Sequence, residues 1–442
     1  MKIQLSDHFK YKTLFKFTLP SIVMMIFTSI YGVVDGFFVS NFVGKTPFAA
    51  VNFIMPFLMI LGGLGFMFGT GGSALISKTL GEGEKDKAQR IFSLLVYVSV
   101  LCGVIMAILG IIFIKPIASL LGAEGAMLED CVLYGRIILC ALPFLLLQFE
   151  FQSFFITAEK PQLGLASTLI AGFTNMILDA LFTAIFPFGL VGAAFATATS
   201  QVVGGIIPLV YFSRKNPSLL RLRKTEFDGK SLLKTVTNGS SELMSNISMS
   251  IVSMLYNIQL LKYAGENGVA AYGTLMYVNL VFIAIFIGYS IGVAPVVGYH
   301  YGAKNENELK GLKRKSFVII LASSLVMFIL AEVLAKPLSS IFVGYDKELL
   351  ELTVRGFHIY SFSFLFAGIA IFGSSFFTAL NDGAISAIIS FLRTLVFQIS
   401  AVLLFPLIWG IDGIWISIVA AEVMAVIVTL IFLKIKKKKF NY

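Results

Sequence analysis

Charge is scarce in this sequence of 442 residues, in which Asp, Glu, Lys and Arg together make 13% against 57% hydrophobic residues. That balance excludes the surface of an ordinary water-soluble domain. Alternating ten-residue strands, the mark of a membrane barrel, are missing as well. Cysteine is rare: Cys102, Cys131 and Cys140 are an odd number without a metal-ligand spacing, and they read as apolar filler. His8, His300 and His358 are equally scattered and read as surface or packing residues. There is no phosphate loop, metal spacing or nucleophile constellation. The glycines at 62–72 and in LGEGE lack the strand and helix context of a nucleotide site, and in a membrane helix they serve close packing. The chain is therefore expected to be no enzyme and to carry no cofactor.

What the sequence has in quantity is apolar length. Mean hydropathy is +0.90, and apolar runs of twenty or more residues recur throughout, as in a polytopic membrane protein. A helical bundle follows, because helices and closed barrels alone satisfy their backbone in lipid. The opening MKIQLSDHFKYKTLFKF mimics a signal peptide, but it lacks a small-residue cleavage site and leads into a long span, so it is expected to be retained.

Runs bounded by Gly, Pro and charge predict spans near 13–40, 48–77, 89–114, 130–157, 163–186 and 190–212, then near 234–263, 269–299, 313–335, 352–380, 384–408 and 412–434. Sliding the chain along itself until Lys115 falls on Lys336 superposes KPIASLLG on KPLSSIFV, and the same offset lays FFITA at 154 on SFFTA at 375. It also carries Gly81 onto Gly302, Gly135 onto Gly356, Gly189 onto Gly410 and Gly192 onto Gly413. Each half holds an even number of spans, so the repeat is parallel, about an axis along the membrane normal. The expected architecture is an all-α membrane protein with twelve transmembrane helices in two six-helix lobes. The N-lobe covers 1–212, a basic linker 213–233, the C-lobe 234–434 and a basic tail 435–442.

The basic residues set the expected orientation. With the N-terminus cytoplasmic, 26 of the 34 Lys and Arg fall on the cytoplasmic side, whereas the opposite loops hold Lys45, Lys115, Lys262, Lys336 and Lys347. Arg136, Arg355 and Arg393 lie within spans. Both termini are expected in the cytoplasm, with the chain in the inner (plasma) membrane. The net charge of +10 is explained by topology and contact with anionic membrane lipid, and makes no case for nucleic acid.

Against that background, Asp35 in the apolar stretch IYGVVDGFFVSNFVG needs an explanation. Counted along the helix it lies about 27 Å from the cytoplasmic start of its span, and Asp179 about 24 Å along the fifth span. Asn175 is one turn from Asp179 on the same face, and Thr197 descends to a similar level. An isolated Asn or Thr in a membrane helix is commonly interhelical glue, but an acid near mid-bilayer costs roughly 2.5 to 3.5 kcal/mol on insertion scales and so points to function. Arg136, about 9 Å from the outer end of its span, is placed either to pair with Asp35 or to snorkel to the headgroups. Two neighbouring carboxylates in a poorly hydrated pocket cannot both ionise cheaply, so one is expected to hold a proton. The same oxygens suit Na⁺. The cluster supports ion coupling without choosing between H⁺ and Na⁺.

These residues, with the Gly-rich second span, LGEGEKDKAQR, NMILD and GLVGAAFATATSQ, resemble the multidrug and toxic compound extrusion (MATE) family over essentially the whole chain, and within it the MepA-like bacterial branch. The resemblance implies a V-shaped twelve-helix exporter driven by H⁺ or Na⁺, with ion-coupling positions at Asp35, Asn175, Asp179 and Thr197 and a helix-bending proline at Pro20. Some members also use acids in the seventh and tenth spans. Glu242 supplies the first, but GIAIFGSSFF holds no acid, which weakens the case for a C-lobe ion site. Depth suggests instead that Glu242, about 12 Å above the cytoplasmic face, pairs with Arg393 at about 14 Å. Glu150 and Glu422 are candidates to attract a cationic substrate, and Met24, Met25, Met55 and Met59 to line an adaptable cavity. The leading expectation is cation-coupled export of amphipathic, cationic organic compounds by a monomer. The alternative is a flippase for lipid-linked saccharides, whose pyrophosphate cargo calls for cavity Arg and Lys.

Overall fold

Apolar runs become helices, and glycine, proline and polar turns end them. The computed structural model describes residues 3–442; Met1, Lys2 and the side chain of Lys45, two of them lysines counted above, lie outside the described residues. In the first half run α1 (Tyr11–Phe38), α2 (Lys45–Gly81), α3 (Lys85–Leu121), α4 (Gly125–Cys140), α5 (Leu142–Thr157), α6 (Pro161–Asp179) and α7 (Gly189–Ser213). In the second run α8 (Gly229–Gly302), α9 (Glu306–Val343), α10 (Lys347–Ser361), α11 (Phe364–Ala379), α12 (Gly383–Phe391), α13 (Phe397–Leu404) and α14 (Pro406–Phe440). Short π-helical stretches occupy Val39–Val43, Ala180–Ile185 and Leu392–Val396.

Among the described residues, nine helical segments are individually long and apolar enough to span a membrane, and two bent pairs bring the number to eleven. The 74-residue α8 is interrupted at Gly265, whose φ of 62° and ψ of −152° are not helical, so it crosses twice and the total is twelve. The spans expected near 130–157 and 352–380 are each bent, α4 to α5 by 57° and α10 to α11 by 49°. Pro143 in the first turn of α5 accompanies the first bend, since proline is tolerated there and not further in.

The repeat extends to the backbone. Gly44 and Gly265, Gly83 and Lys304, and Gly189 and Gly410 all have positive φ, and each pair is related by the offset that matches the two halves of the sequence. The lobes meet along a seam with the same symmetry. A Cβ added to Gly81 of α2 would stand 2.0 Å from the Tyr299 carbonyl oxygen of α8, and one on Gly302 2.0 Å from that of Lys78. Further along, Gly71 faces Thr235 and Gly239, Gly239 faces Met67, and Gly63 faces Leu243 and Asn246. On the other arm of the seam, Gly288 and Gly292 of α8 lie against Thr18, Ser21 and Ile22 of α1. Pro20 therefore sits among the residues through which α1 touches the opposite lobe. Glycine at these crossings lets backbones approach where lipid supplies no hydrophobic drive to associate.

Both ends of the chain converge on one face of the bundle. Leu5 and Phe9 are buried, the Leu5 N–H donates to Glu159 Oε1 at 2.8 Å, and the Phe9 N–H donates to Glu308 Oε1 at 2.9 Å. Asn441 donates to Glu306 Oε1 at 2.9 Å. The segment between α7 and α8 lies on this face too. Arg223 N–H donates to Ser93 of α3, and Asp228 caps α8 by accepting from Lys230 and Ser231. The Ser231 hydrogen bonds hold the Asp228 carboxyl below the usual carboxylate range.

The seam yields a mutational contrast. Gly239→Ala places a methyl 1.9 Å from the Met67 carbonyl oxygen, whereas Gly273 has open space around its Cβ position. Thermal melts in detergent should show Gly239→Ala destabilised by roughly 1 to 3 kcal/mol, with Gly273→Ala at or slightly above wild type.

Candidate functional site

The N-lobe site is assembled by α1, α6 and α7. Asp35 is 8% exposed and Asp179 fully buried. Thr197 Oγ1 donates to Asp35 Oδ1 at 3.3 Å, and Asn175 Nδ2 donates to Thr197 Oγ1 at 3.5 Å. Asp179 lies within interaction distance of Asp35 and Asn175. Residues from three separate helices are thus brought together, as the depth count expects. Both acids adjoin π-helical turns: Val39–Val43 begins one turn after Asp35, and Ala180–Ile185 begins immediately after Asp179. Such turns interrupt the regular carbonyl ladder and are frequent at functional sites. Thr183, inside the second, donates to the Asp179 carbonyl at 2.6 Å.

The electrostatics of this cluster are set by what is missing around it. No Lys, Arg or His forms an ion pair with Asp35 or Asp179 among the described residues. Arg136, weighed as a partner for Asp35, is solvent- or lipid-exposed instead. Among the described residues, both Asp179 carboxylate oxygens and the Asn175 Oδ1 are buried without a hydrogen-bond partner. Three orphaned acceptors beside a second carboxylate form a donor set for a hard cation or a shared proton. No group of three His, Cys, Asp or Glu suited to a multivalent metal is found among the described residues.

Two tyrosines complete the site and carry no counterpart in the sequence-based expectation. Tyr31 is one helical turn before Asp35 and lies between it and Gln148 of α5. That i, i+4 spacing is a signal present in the sequence. Tyr134 of α4 is fully buried beside Asp35, Asp179 and Thr197. It comes from a distant helix, and nothing local in the sequence marks it.

The other expected residues are placed differently. Glu150 is fully buried and faces Ser99 and Cys102 of α3, with neither carboxylate oxygen hydrogen-bonded among the described residues. Gln148, two residues earlier, packs on Gly204 of α7, so α5 turns Glu150 away from the α1–α7 side. Met24 is buried in the packing of α1, Met55 half-buried against the N-lobe core, and Met59 exposed.

The expected Glu242–Arg393 pair is replaced by another. Arg393 Nε donates to Glu422 Oε2 at 2.8 Å and Oε1 at 3.1 Å, and its Nη2 donates to Oε1 at 2.8 Å. Glu422 of α14 is therefore bound in an ion pair and is not a free carboxylate. The physical reason is azimuth: Arg393 sits in the π-helical turn Leu392–Val396, which alters the face a residue presents, whereas depth counting gives only height. The pair is largely enclosed, so removing one partner strands the other. Arg393→Met or Glu422→Gln alone should lose roughly 3 to 5 kcal/mol in detergent melts, and Arg393→Met with Glu422→Gln should recover most of it. Additive losses in the double variant would contradict the pairing.

Comparison with known proteins places this geometry. The MatE family model matches residues 20–181 and again 243–404. Multidrug export protein MepA of Staphylococcus saprophyticus is 25% identical over 440 residues, covering 98% of this chain and 95% of that protein. MepA of Staphylococcus haemolyticus is 25% identical over 430 residues, covering 97% and 94%. Among solved structures, a MATE protein in complex with MaL6 superposes with a TM-score of 0.93 at 22% identity, covering 98% of both chains. An outward-facing multidrug resistance MATE family transporter of the MOP superfamily gives 0.93 at 22%, covering 98% and 97%. With its family signature present once in each lobe, this multi-pass membrane protein belongs to the MatE family of transporters.

Proposed function

We propose that this chain exports amphipathic organic cations by alternating access, and that H⁺ or Na⁺ exchanging at Asp35 and Asp179 drives the cycle. One observation carries the reading: two buried carboxylates share a site with no cationic side chain to neutralise them among the described residues. Their negative charge in a poorly hydrated site demands a mobile cation. Thr197 and Asn175 supply the remaining oxygens, and Tyr134 and Tyr31 close the site. The names of the MepA relatives support a drug-like cargo. The excess of Lys and Arg on the face holding both chain ends supports cytoplasmic termini in a plasma membrane. A monomer suffices for this mechanism, since the seam between its own two lobes provides the moving interface.

A lipid-linked saccharide cargo is less well served. Its pyrophosphate needs free cationic side chains, but Arg393 is committed to Glu422 and Arg355 to Asp412.

Ion and cargo that favour different conformations must each weaken the other's binding by the same factor. For a proton, raising its concentration lowers cargo affinity, so organic-cation affinity should fall as pH falls. In proteoliposomes with pH and Na⁺ gradients imposed separately, Asp35→Asn and Asp179→Asn should each abolish gradient-driven efflux of a fluorescent organic cation while leaving a folded protein. Gradient-driven efflux at the wild-type rate in both variants would remove the coupling role from this site.

A further inference from the structure

Three π-helical turns interrupt the described helices, and each holds or adjoins an ionisable residue inside a span. Two of them belong to Asp35 and Asp179. The third, Leu392–Val396, carries Arg393 in the C-lobe. At the repeat-equivalent positions of Asp35, Asn175, Asp179 and Thr197 the C-lobe has Tyr256, Val396, Ser400 and Ile418, so the N-lobe cluster is not duplicated. Tyr256 closes its own network, donating to Gln398 Oε1 and meeting Ser417 Oγ, each at 2.8 Å.

The C-lobe nevertheless brings two helix-borne carboxylates, Glu422 and Glu242, near one guanidinium, that of Arg393. All three side-chain hydrogen bonds that Arg393 donates among the described residues go to Glu422. Glu242 lies within electrostatic reach of Arg393, and its carboxylate accepts no hydrogen bond among the described residues. The three-residue cluster is not sealed, since the Arg393 side chain is 17% exposed and Glu242 is half-buried. Glu242 also sits on the seam. It follows Gly239, which touches Met67, and precedes Leu243 and Asn246, which touch Gly63, all across the boundary between lobes. The Tyr360 phenol of α10 lies within electrostatic reach of Arg393 and Glu422.

From this arrangement we propose that Glu242, Arg393 and Glu422 form a C-lobe subsite for one positive charge on an organic cargo, with Glu242 as its counter-ion. Arg393 is a positioning and selectivity residue: by neutralising Glu422 it leaves a single uncompensated carboxylate at the seam. A monocation is matched by that charge, a dication is under-compensated, and a carboxylate-bearing molecule is repelled. The proposal rests on the organic-cation reading given above and adds to it where the cargo's charge is read.

The test is isothermal titration of the full-length protein in detergent with tetraphenylphosphonium, a permanent monocation, triphenylphosphine oxide, a neutral analogue, and methyl viologen, a dication. Glu242→Gln should weaken tetraphenylphosphonium binding by about tenfold or more and leave triphenylphosphine oxide within about twofold. Glu242→Asp should restore most of the monocation affinity. Arg393→Gln, which leaves two uncompensated carboxylates, should shift preference toward methyl viologen by about tenfold relative to tetraphenylphosphonium. Should Arg393→Gln fail to fold, the Gln and Asp variants at 242 decide the matter alone, since the Glu242 carboxylate has no hydrogen bond to lose among the described residues. Wild-type affinity for tetraphenylphosphonium in Glu242→Gln overturns the subsite and leaves the exporter reading standing. Absence of organic-cation binding by the wild-type protein overturns both.

Discussion

Desolvation of two neighbouring carboxylates sets the terms on which the N-lobe can be closed. Asp35 and Asp179 reach the same site from α1 and α6, and among the described residues the lobe provides hydroxyl and amide partners for them but no guanidinium or ammonium. In a medium of low dielectric that imbalance is expensive when both acids are charged, and modest once a proton or a monovalent cation is present. On the proposed ion-coupled reading, the packing of α1 against α6 and α7 is conditional on occupancy. Because α1 also carries the seam residues Thr18 and Ser21 on either side of Pro20, a change at Asp35 is mechanically connected to the opposite lobe. The π-helical turns beside both acids add local freedom at the place where the helix has to respond.

The two lobes share a backbone and solve the charge problem differently. Positive-φ turns recur at equivalent places in the two halves, and the crossing of α2 with α8 is two-fold symmetric in its closest contacts. Within that common frame the N-lobe leaves its acids without a resident cation among the described residues, whereas the C-lobe ties Glu422 to Arg393. On the proposed reading the first lobe depends on an exchangeable ion, whereas the second carries its positive charge covalently on Arg393. A duplicated fold with such divergence separates the seam, which keeps its symmetry, from the chemistry, which does not.

Much of this is legible in the sequence. The repeat is readable because glycines at close crossings and tight turns cannot be replaced without steric cost, so Gly81 and Gly302 or Gly189 and Gly410 mark equivalent places. The grouping of Asp35, Asn175, Asp179 and Thr197 is readable because height along a membrane helix follows from residue number. Azimuth does not. Depth places Arg393 level with Glu242, but the π-helical turn that carries it directs the guanidinium to Glu422. The same limit hides Tyr134, which approaches Asp35 from a helix remote in sequence, and assigns Glu150 to a substrate cavity when it faces α3. The bend between α4 and α5 has a local sign in Pro143, whereas the one between α10 and α11 has no proline to announce it.

Competition between cargo and a small cation through the Asp35–Asp179 pair is the central claim, and it is tested most directly by counting the cations released when a saturating organic cation is added to the purified protein. Release is followed as protons in weakly buffered detergent solution and as displaced radioactive sodium in parallel. The wild-type protein is predicted to give close to stoichiometric release of one of the two ions, lost when both positions 35 and 179 carry asparagine. Cargo binding that releases neither ion, or equal release from the doubly substituted protein, would contradict the claim.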